Sequence, residues 1–282
     1  MNISEIIKQF ELTFVAEDIL YFAGVAILSF WLLKTAFGTR ALADSSPRRN
    51  NMPFYLPLVP LGIWLLGAPV AMEIQKIALP DLELWQQVFT DNVIISIAAI
   101  IATILTLWLV RRYFARRLKG FGLNPKTIPA DFFAAFVNLI AIYPVIMLAV
   151  VMTLYIGQTI WGDKFQLPQH AELKSMMEYS QISVRIAIII AAVVVAPVFE
   201  ELLFRGLFQT LIRSYLNRPW QAIFISAILF ASAHANTTHW PALFFLGICI
   251  GYSYEKSGSL FRPIFVHAIF NSTSILAALY RS

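Results

Sequence analysis

The feature that most constrains this chain is a series of mainly apolar runs, most of them close to the roughly 20 residues that a helix needs to cross a bilayer. These runs are continuously apolar, whereas the strands of a membrane barrel would alternate in polarity. We therefore predict an all-α fold, a polytopic membrane helix bundle of about eight transmembrane helices. The predicted spans are residues 18–37, 54–73, 92–110, 131–155, 181–204, 220–238, 241–255 and 260–279.

The composition agrees with a surface that faces lipid. Of the 282 residues, 59% are hydrophobic and 13% are charged, and the mean hydropathy is +0.71. A soluble domain is about half apolar and about a quarter charged, so this chain has too little polar material for a surface in water. The single cysteine, Cys249, excludes an intramolecular disulfide and a cysteine-based metal cluster.

The basic residues indicate the orientation of the bundle. If the N-terminus is outside, fifteen Lys and Arg residues fall in inward connections and six in outward ones. Because cytoplasmic connections carry an excess of Lys and Arg, we predict that both termini are outside. The run RRYFARRLKG after the third span is the strongest anchor. Basic residues placed in this way favour membrane lipid as a partner and argue against nucleic acid.

Polar residues divide the chain into two parts. Residues 1–128 hold a short amphipathic segment, the N-terminal transmembrane helices and basic cytoplasmic segments, with carboxylates only near the ends of spans. The first four spans carry carboxylates only near their ends, whereas spans five to eight, from residue 181 on, carry polar groups at depth. The outward segment 157–181 is the only long loop, and its His170 is read as a solvated loop histidine. The deep polar groups that could form a functional site are therefore expected on spans five to eight.

Glu200 and Glu201 end a long apolar run. A charge within hydrocarbon is costly, so a deep ionisable residue is by default a hypothesis about function. Glu201 stands four residues before Arg205, the spacing at which helical side chains meet, and this predicts an ion pair. Glu200 then points about 100° away around the helix. Pro197 should bend the helix just before the two carboxylates.

Three further polar side chains are predicted to reach the depth of Glu200. The fifth and sixth spans form a hairpin that turns near Asn217, and Glu200 and His234 are equally far from this turn. Counting equal numbers of residues on either side of the next two turns leads to Asn271 at about the same depth. His267 lies one helical turn away from Asn271 on the same face. The sequence therefore predicts that Glu200, His234, His267 and Asn271 meet.

This set of residues suits hydrolysis of a peptide bond by an activated water. Glu200 would be the general base, and His234 would hold or share the water. His267 and Asn271 can donate hydrogen bonds to an oxyanion. Each residue also has a structural interpretation, because a deep Glu–Arg pair can join helices, and a lone His or Asn can bridge them.

Other functions fit the sequence less well. It contains no HExxH or GxSxG motif and no pair of aspartates at mid-membrane. Ser253 and His267 could form a dyad on neighbouring spans, but that leaves both glutamates unexplained. A membrane transporter and a non-catalytic membrane scaffold are the alternatives from other classes. A transporter would usually show internal repeats and broken helices in both halves of the chain.

Three motifs in register resemble the CPBP family, the CAAX proteases and bacteriocin-processing enzymes that share the ABI domain. The resemblance covers about residues 130–280 and assigns residues 129–282 as the catalytic helix bundle. It implies an all-helical membrane fold whose conical cavity opens to the cytoplasm and to lipid. The motifs are Glu200-Glu201-x-x-x-Arg205, Phe230-x-x-x-His234 and His267-x-x-x-Asn271. The resemblance implies that Glu200 and His234 activate water, that His267 and Asn271 stabilise the oxyanion, and that Glu201, Arg205 and Phe230 support them.

The resemblance leaves the metal and the substrate open. Family members have also been described as metalloproteases, and the zinc ligands would then be Glu200, His234 and His267. We favour catalysis without a metal or another cofactor, because His267 and Asn271 already have an oxyanion role. The resemblance implies an intramembrane peptidase of the CAAX protease type in a bacterial or archaeal cell membrane. Its expected substrates are membrane-associated or lipidated peptides and proteins.

Overall fold

The computed structural model describes residues 3–162, 164–168, 171–234 and 236–281, so His170 lies outside the described residues. Within these ranges the chain is helical and contains no strand, which confirms the predicted all-α fold. In chain order the helices are α1 Ile3–Lys34, α2 Leu58–Ala78, α3 Leu84–Tyr113, α4 Arg117–Phe121, α5 Pro125–Trp161, α6 Ala171–Glu178, α7 Ile182–Leu216, α8 Pro219–Ser232, α9 Trp240–Ser257 and α10 Phe261–Arg281.

Each predicted span corresponds to a helix, but the helices differ in length and polarity. Four of them, α2, α3, α5 and α7, are long and apolar enough to cross a membrane. The prediction had α8 continue to residue 238, whereas it ends at Ser232. The amphipathic segment at the start of the chain is continuous with the first span, because α1 runs unbroken from Ile3. The four apolar helices indicate an integral membrane protein, and the count of eight spans stays a prediction.

The outer surface of the bundle is apolar where the long helices lie. Along α3, Ile97, Ile101, Ile104 and Trp108 follow one another at helical spacing, and each is more than half exposed. A continuous apolar stripe of this kind is rare on a soluble monomer. It is the surface expected of a helix that faces lipid.

Four connections meet at one end of the bundle, which we call the basic end: residues 35–57, 114–124, 217–218 and 258–260. Lys256 donates a hydrogen bond to the carbonyl of Ala41 at 2.8 Å, and the amide of Leu260 donates to the carbonyl of Gly122 at 2.9 Å. The opposite end, which we call the far end, carries residues 79–83, 164–168, 171–181 and 236–239. This arrangement follows from antiparallel helices joined by short connections.

The main hydrophobic core fills the bundle towards the basic end. Leu203 and Leu207 of α7 are fully buried there, as are Leu246, Ile250 and Tyr254 of α9. A smaller core lies at the far end, where α6 packs against the beginning of α7 and against α10. The candidate site lies between these two cores.

Candidate active site

Glu200, His234, His267 and Asn271 line a single cavity of about 360 Å³. The glutamate is on α7, the first histidine follows α8, and the other two residues are on α10. The structure therefore brings together the four residues that the sequence predicted to meet.

Helix α7 departs from regular α-helical geometry on both sides of the two glutamates. It is wound as a π-helix over Ala191–Val195 and again over Leu202–Gln209, with Pro197 between the two segments. Proline has no N–H to donate, and a π-turn rearranges the hydrogen bonds before it. The side-chain amide of Asn271 donates to the carbonyl of Ala192 in the first π-segment at 2.8 Å. This bond fixes α10 against α7 beside the cavity.

The predicted pair of Glu201 and Arg205 is present and fully buried. Nη1 of Arg205 donates to Oε1 of Glu201 at 3.0 Å, and neither side chain is exposed. The guanidinium also donates to the carbonyl of Gly247 at 3.2 Å and lies 4.4 Å from the ring centre of Phe230. A buried guanidinium held in this way requires an ionised carboxylate as its partner.

His267 is hydrogen-bonded to the same carboxylate, which the sequence did not reveal. Its Nδ1 lies 2.9 Å from Oε1 of Glu201. An ionised carboxylate only accepts hydrogen bonds, so Nδ1 carries the proton and donates it. The opposite ring nitrogen, Nε2, lies 4.0 Å from Oε2 of Glu200. Glu201 therefore holds the hydrogen on Nδ1 and sets the direction in which Nε2 points.

His234 is oriented in the same manner by the backbone. Its Nδ1 donates to the carbonyl of Phe230 at 2.9 Å, because a carbonyl only accepts. Its Nε2 lies 4.0 Å from Oε2 of Glu200. The ring of Phe230 packs at 4.9 Å from His234 and at 5.5 Å from His267, edge-on to both. Phe230 thus contacts both imidazoles and fixes the spacing between them.

Glu200 faces the two imidazoles. The residue is 8% exposed, and no group in the described parts of the chain bonds its buried Oε2. Two imidazole nitrogens thus converge on one carboxylate oxygen at 4.0 Å each. This spacing is too long for a direct hydrogen bond, which needs about 2.7–3.2 Å. It leaves room for a small polar species between the three side chains.

The cluster contains more negative than positive side chains. Glu200 and Glu201 stand against one guanidinium, that of Arg205, and a buried carboxylate without a counter-charge is costly. A proton on an imidazole would balance the charge. His267 is the better placed ring, because it lies 2.9 Å from Glu201 and 4.0 Å from Glu200. In that protonated form its Nε2 would carry a hydrogen that points into the cavity.

The arrangement fits a water more closely than a zinc ion. Two ligand atoms that lie 4.0 Å apart, each about 2.1 Å from a zinc ion, would form an angle of about 150° at the ion. Tetrahedral coordination needs an angle of about 109°. A water about 2.8 Å from both atoms would subtend about 90°, which soft hydrogen-bond geometry tolerates. Among the described side chains, no group of three or more His, Cys, Asp or Glu is arranged to hold a metal.

The cavity also contains polar residues that sequence reasoning missed. Asn92 and Ser96 of α3 line it, as do Glu172 of α6 and Ser274 of α10. Asn92 and Ser96 are four residues apart in an apolar run, so their shared face could have been read from the sequence. Helix α3 therefore contributes to the lining of the cavity, although the sequence indicated deep polar groups only on spans five to eight.

Comparison with known proteins finds a family model that is similar to the segment holding this set of residues. The family described as type II CAAX prenyl endopeptidase Rce1-like matches residues 182–273, a segment that contains all three motifs. These residues match the CAAX protease family that the sequence predicted. The match ends close after Asn271, and it leaves α1 to α6 outside.

The chain is also similar to a curated protein whose name gives no activity. The chain is 28% identical to an uncharacterized 24.3 kDa protein of Escherichia coli over 117 residues, which is 40% of this chain and 54% of the relative. The aligned part therefore spans about half the length of that relative. No solved structure matches the chain.

Proposed function

We propose that this protein is an intramembrane endopeptidase that hydrolyses peptide bonds of membrane-associated or lipidated substrates with a water activated by Glu200. The observation that carries this proposal is the convergence of two imidazole nitrogens on the unbonded carboxylate oxygen of Glu200, 4.0 Å from each. A carboxylate, a water and a nearby donor are the groups that general-base hydrolysis needs. The CAAX protease match supports the same reaction class.

Each side chain has one role in the proposed reaction. His234 holds the water by a hydrogen bond while Glu200 takes a proton from it. The water oxygen then bonds to the scissile carbonyl carbon. The carbonyl oxygen becomes an oxyanion that accepts hydrogen bonds from Nε2 of protonated His267 and from Asn271. The C–N bond then breaks, and Glu200 returns its proton to the leaving amine. Asn271 can take part because its amide has two hydrogens, of which Ala192 accepts one.

Zinc-dependent hydrolysis at the same residues is the second candidate. The observation in its favour is that neutral His234 and His267 would both direct Nε2 at Glu200, as ligands around one centre would. A histidine that binds zinc usually donates its other ring N–H to a carboxylate or carbonyl, and Glu201 accepts such a bond from His267. The 4.0 Å spacing does not fit tetrahedral zinc, so no step is assigned to a metal.

The proposed architecture has eight transmembrane helices, with α1, α8, α9 and α10 added to the four long apolar ones. In this arrangement α8 and α9 are short, and the connection that carries His234 lies within the bilayer. A cavity of about 360 Å³ is at the small end of the usual range for ligand sites, about 300–1,000 Å³. It suits an extended peptide segment with a few side chains and excludes a folded domain.

Cleavage by purified protein tests this proposal. A library of membrane-embedded peptides, with and without a C-terminal prenylated cysteine, would be incubated with detergent-solubilised protein and analysed by mass spectrometry. We expect cleavage that Glu200→Gln abolishes, because the amide cannot take a proton from water. Glu178→Gln is the matched control, since this exposed residue of α6 lies outside the cavity. Absence of cleavage by folded wild-type protein would favour the transporter or scaffold alternatives.

A further inference from the structure

The basic end of the bundle contains a recess of about 580 Å³, which we call the basic recess. It lies where three stretches of chain meet: residues 44–49, 115–120 and 255–258. Its volume falls within the usual range for ligand sites, about 300–1,000 Å³. Among the described residues, none lines both this recess and the catalytic cavity. The proposed peptidase chemistry therefore gives the basic recess no role.

The backbone holds the first two stretches side by side. Asn50 and Phe114 form an antiparallel bridge, and the amide of Ala115 donates to the carbonyl of Arg49 at 3.1 Å. Because Arg116 follows Ala115 directly, this pairing brings Arg49 and Arg116 to the same recess. Both residues are exposed, and neither forms an ion pair within the described parts of the chain.

The third stretch is joined to the first by side chains. Nη2 of Arg48 donates to the carbonyl of Tyr254 at 3.1 Å, and its guanidinium lies 3.5 Å from the centre of the Tyr254 ring. Nζ of Lys256 donates to the carbonyl of Ala41 at 2.8 Å. The walls of the basic recess are therefore held in place by hydrogen bonds. A ligand would not have to order them, which lowers the cost of binding.

Positive charge exceeds negative charge in the basic recess. Its lining holds two acidic side chains, Asp44 and Glu255, and five basic ones, Arg48, Arg49, Arg116, Lys119 and Lys256. Glu255 is already shared, because Nε of Arg213 donates to it at 3.0 Å and Nη1 of Arg48 lies 4.0 Å from it. The other basic side chains of the lining are accompanied by one carboxylate, that of the exposed Asp44. Cations gathered in this way repel one another, and a bound anion would offset that repulsion.

Membrane topology alone does not explain why these residues line one recess. The asymmetry of basic residues needs Lys and Arg beside the spans, and Arg111, Arg112 and Lys126 are such residues outside the recess. Ser45 supplies a second, independent observation. It lines the recess, and its Oγ is buried without a hydrogen-bond partner among the residues that the structure describes. Since a buried hydroxyl normally has a partner, an oxygen of a ligand would satisfy it.

We infer that the basic recess is a binding site for a phosphate monoester. A guanidinium presents paired N–H donors that match phosphate oxygens, and an ammonium adds a compact charge. A monoester carries about −1.5 to −2 charges near pH 7, which suits several cations better than a single carboxylate does. The group is carried by an anionic lipid or by a soluble molecule. Phe54 and Tyr55, in the same connection as Arg49, are more than half exposed, as aromatic residues at a membrane interface are.

Thermal unfolding of the whole chain in an uncharged detergent tests this inference, because a ligand of the folded protein raises the unfolding midpoint. The probes are glycerol 3-phosphate and phosphatidic acid, which carry the same monoester on a soluble molecule and on a lipid. Their controls are sodium chloride at equal ionic strength, since salt screens exposed charges, and phosphatidylcholine. We expect a midpoint above the control. A rise with phosphatidic acid alone would identify a lipid headgroup as the ligand, and a rise with glycerol 3-phosphate a soluble one.

Two double variants with the same change in net charge separate a site from a general attraction. Arg49→Gln with Arg116→Gln removes two guanidinium groups from the recess, whereas Arg111→Gln with Arg112→Gln removes two exposed ones outside it. We expect the first double variant to weaken the apparent affinity at least about tenfold, because hydrogen bonds to a charged group are lost. The second should change it by less than about threefold at moderate salt.

An equal loss of affinity in both double variants would overturn the inference, since the anion would then be attracted by the basic end as a whole. A wild-type midpoint that neither probe raises would overturn it as well. If Arg49→Gln with Arg116→Gln does not fold, Lys119→Gln against Lys126→Gln makes the same comparison at two exposed lysines. No peptide is cleaved in these measurements, so their outcome is independent of the proposed function.

Discussion

Nδ1 of His267 donates a hydrogen bond to Oε1 of Glu201 at 2.9 Å, so the second glutamate of the motif orients a residue of the cavity as well as Arg205. The same oxygen, Oε1, accepts from both partners. Glu201 is fully buried and does not line the cavity, so it acts through its neighbours. It connects the ion pair of α7 to the imidazole of α10. This connection changes what its mutation should do.

The first prediction concerns Glu201→Gln. The new amide oxygen can still accept from His267, but Arg205 loses its buried counter-charge, which typically costs about 3–5 kcal/mol of folding free energy. We expect a markedly lower midpoint of thermal unfolding in detergent, together with residual peptide cleavage. The double variant Glu201→Gln with Arg205→Met should be more stable than Glu201→Gln alone, because no charge is left stranded.

A well-folded Glu201→Gln protein as inactive as Glu200→Gln would contradict this division of roles. It would indicate that both carboxylates take part in the chemistry. A double variant that is no more stable than Glu201→Gln would show that Arg205 contributes through its packing on Phe230 and its hydrogen bond to the carbonyl of Gly247, and not through its pairing with Glu201.

The positions along the helices could be predicted from the sequence, but the rotations of the side chains could not. The rise per residue of a helix is fixed, so distances from the turns placed Glu200, His234 and Asn271 at one level. Whether His267 meets Glu200, Glu201 or both depends on how α10 is rotated against α7. That rotation is set by packing, including the bond from Asn271 to Ala192.

Other differences have equally local causes. The sequence stays apolar through Ala231 and Ala233, so nothing in its pattern marks the end of α8 at Ser232. The two π-segments of α7 are also absent from the apolar pattern, although Pro197 indicated an irregularity nearby. Asn92 and Ser96 were missed because polar residues were sought only in the second part of the chain.

The second prediction separates the two functions of Asn271. If its amide stabilises the oxyanion, Asn271→Ala should lower kcat by about 10²–10³, with a smaller change in KM. The variant also loses the bond to the carbonyl of Ala192, so a modest fall in thermal stability should accompany it. Ser272→Ala is the matched control, because among the described residues its hydroxyl bonds only to the carbonyl of Ala268 in the same helix. Steady-state kinetics on one cleaved peptide would measure the effect.

A loss of stability without a change in kcat would show that Asn271 only joins α10 to α7. An equal loss of activity in Ser272→Ala would show that the kinetics respond to any disturbance of this helix.

The third prediction tests how closely Phe121 of α4 packs against Gly206 of α7. A methyl group added by Gly206→Ala would overlap the ring of Phe121, which is fully buried and cannot move aside. Overpacking of this kind typically costs about 1–3 kcal/mol. Gly62→Ala is the matched control, since Gly62 is also helical and has no atom near the added methyl group. Gly206→Ala should therefore lower the midpoint temperature of thermal unfolding, and Gly62→Ala should leave it unchanged or raise it. Equal midpoints for the two variants would contradict the close packing of α4 on α7.

The last prediction separates hydrolysis without a metal from zinc-dependent hydrolysis. If Glu200 and His234 activate water and protonated His267 stabilises the oxyanion, treatment with a strong chelator should leave activity unchanged after the chelator is removed. If zinc is the Lewis acid, purified protein should carry about one equivalent of it, and adding zinc back should rescue the chelated enzyme. His234→Ala and His267→Ala should then both lose the metal, as measured by elemental analysis. Asn271→Ala should keep it, since its amide is already bonded to Ala192. Stoichiometric zinc with reversible inactivation would contradict hydrolysis without a metal. It would require Glu200 and the two imidazoles to lie closer to one another than 4.0 Å. The zinc ion, and not protonated His267, would then balance the second negative charge of Glu200 and Glu201.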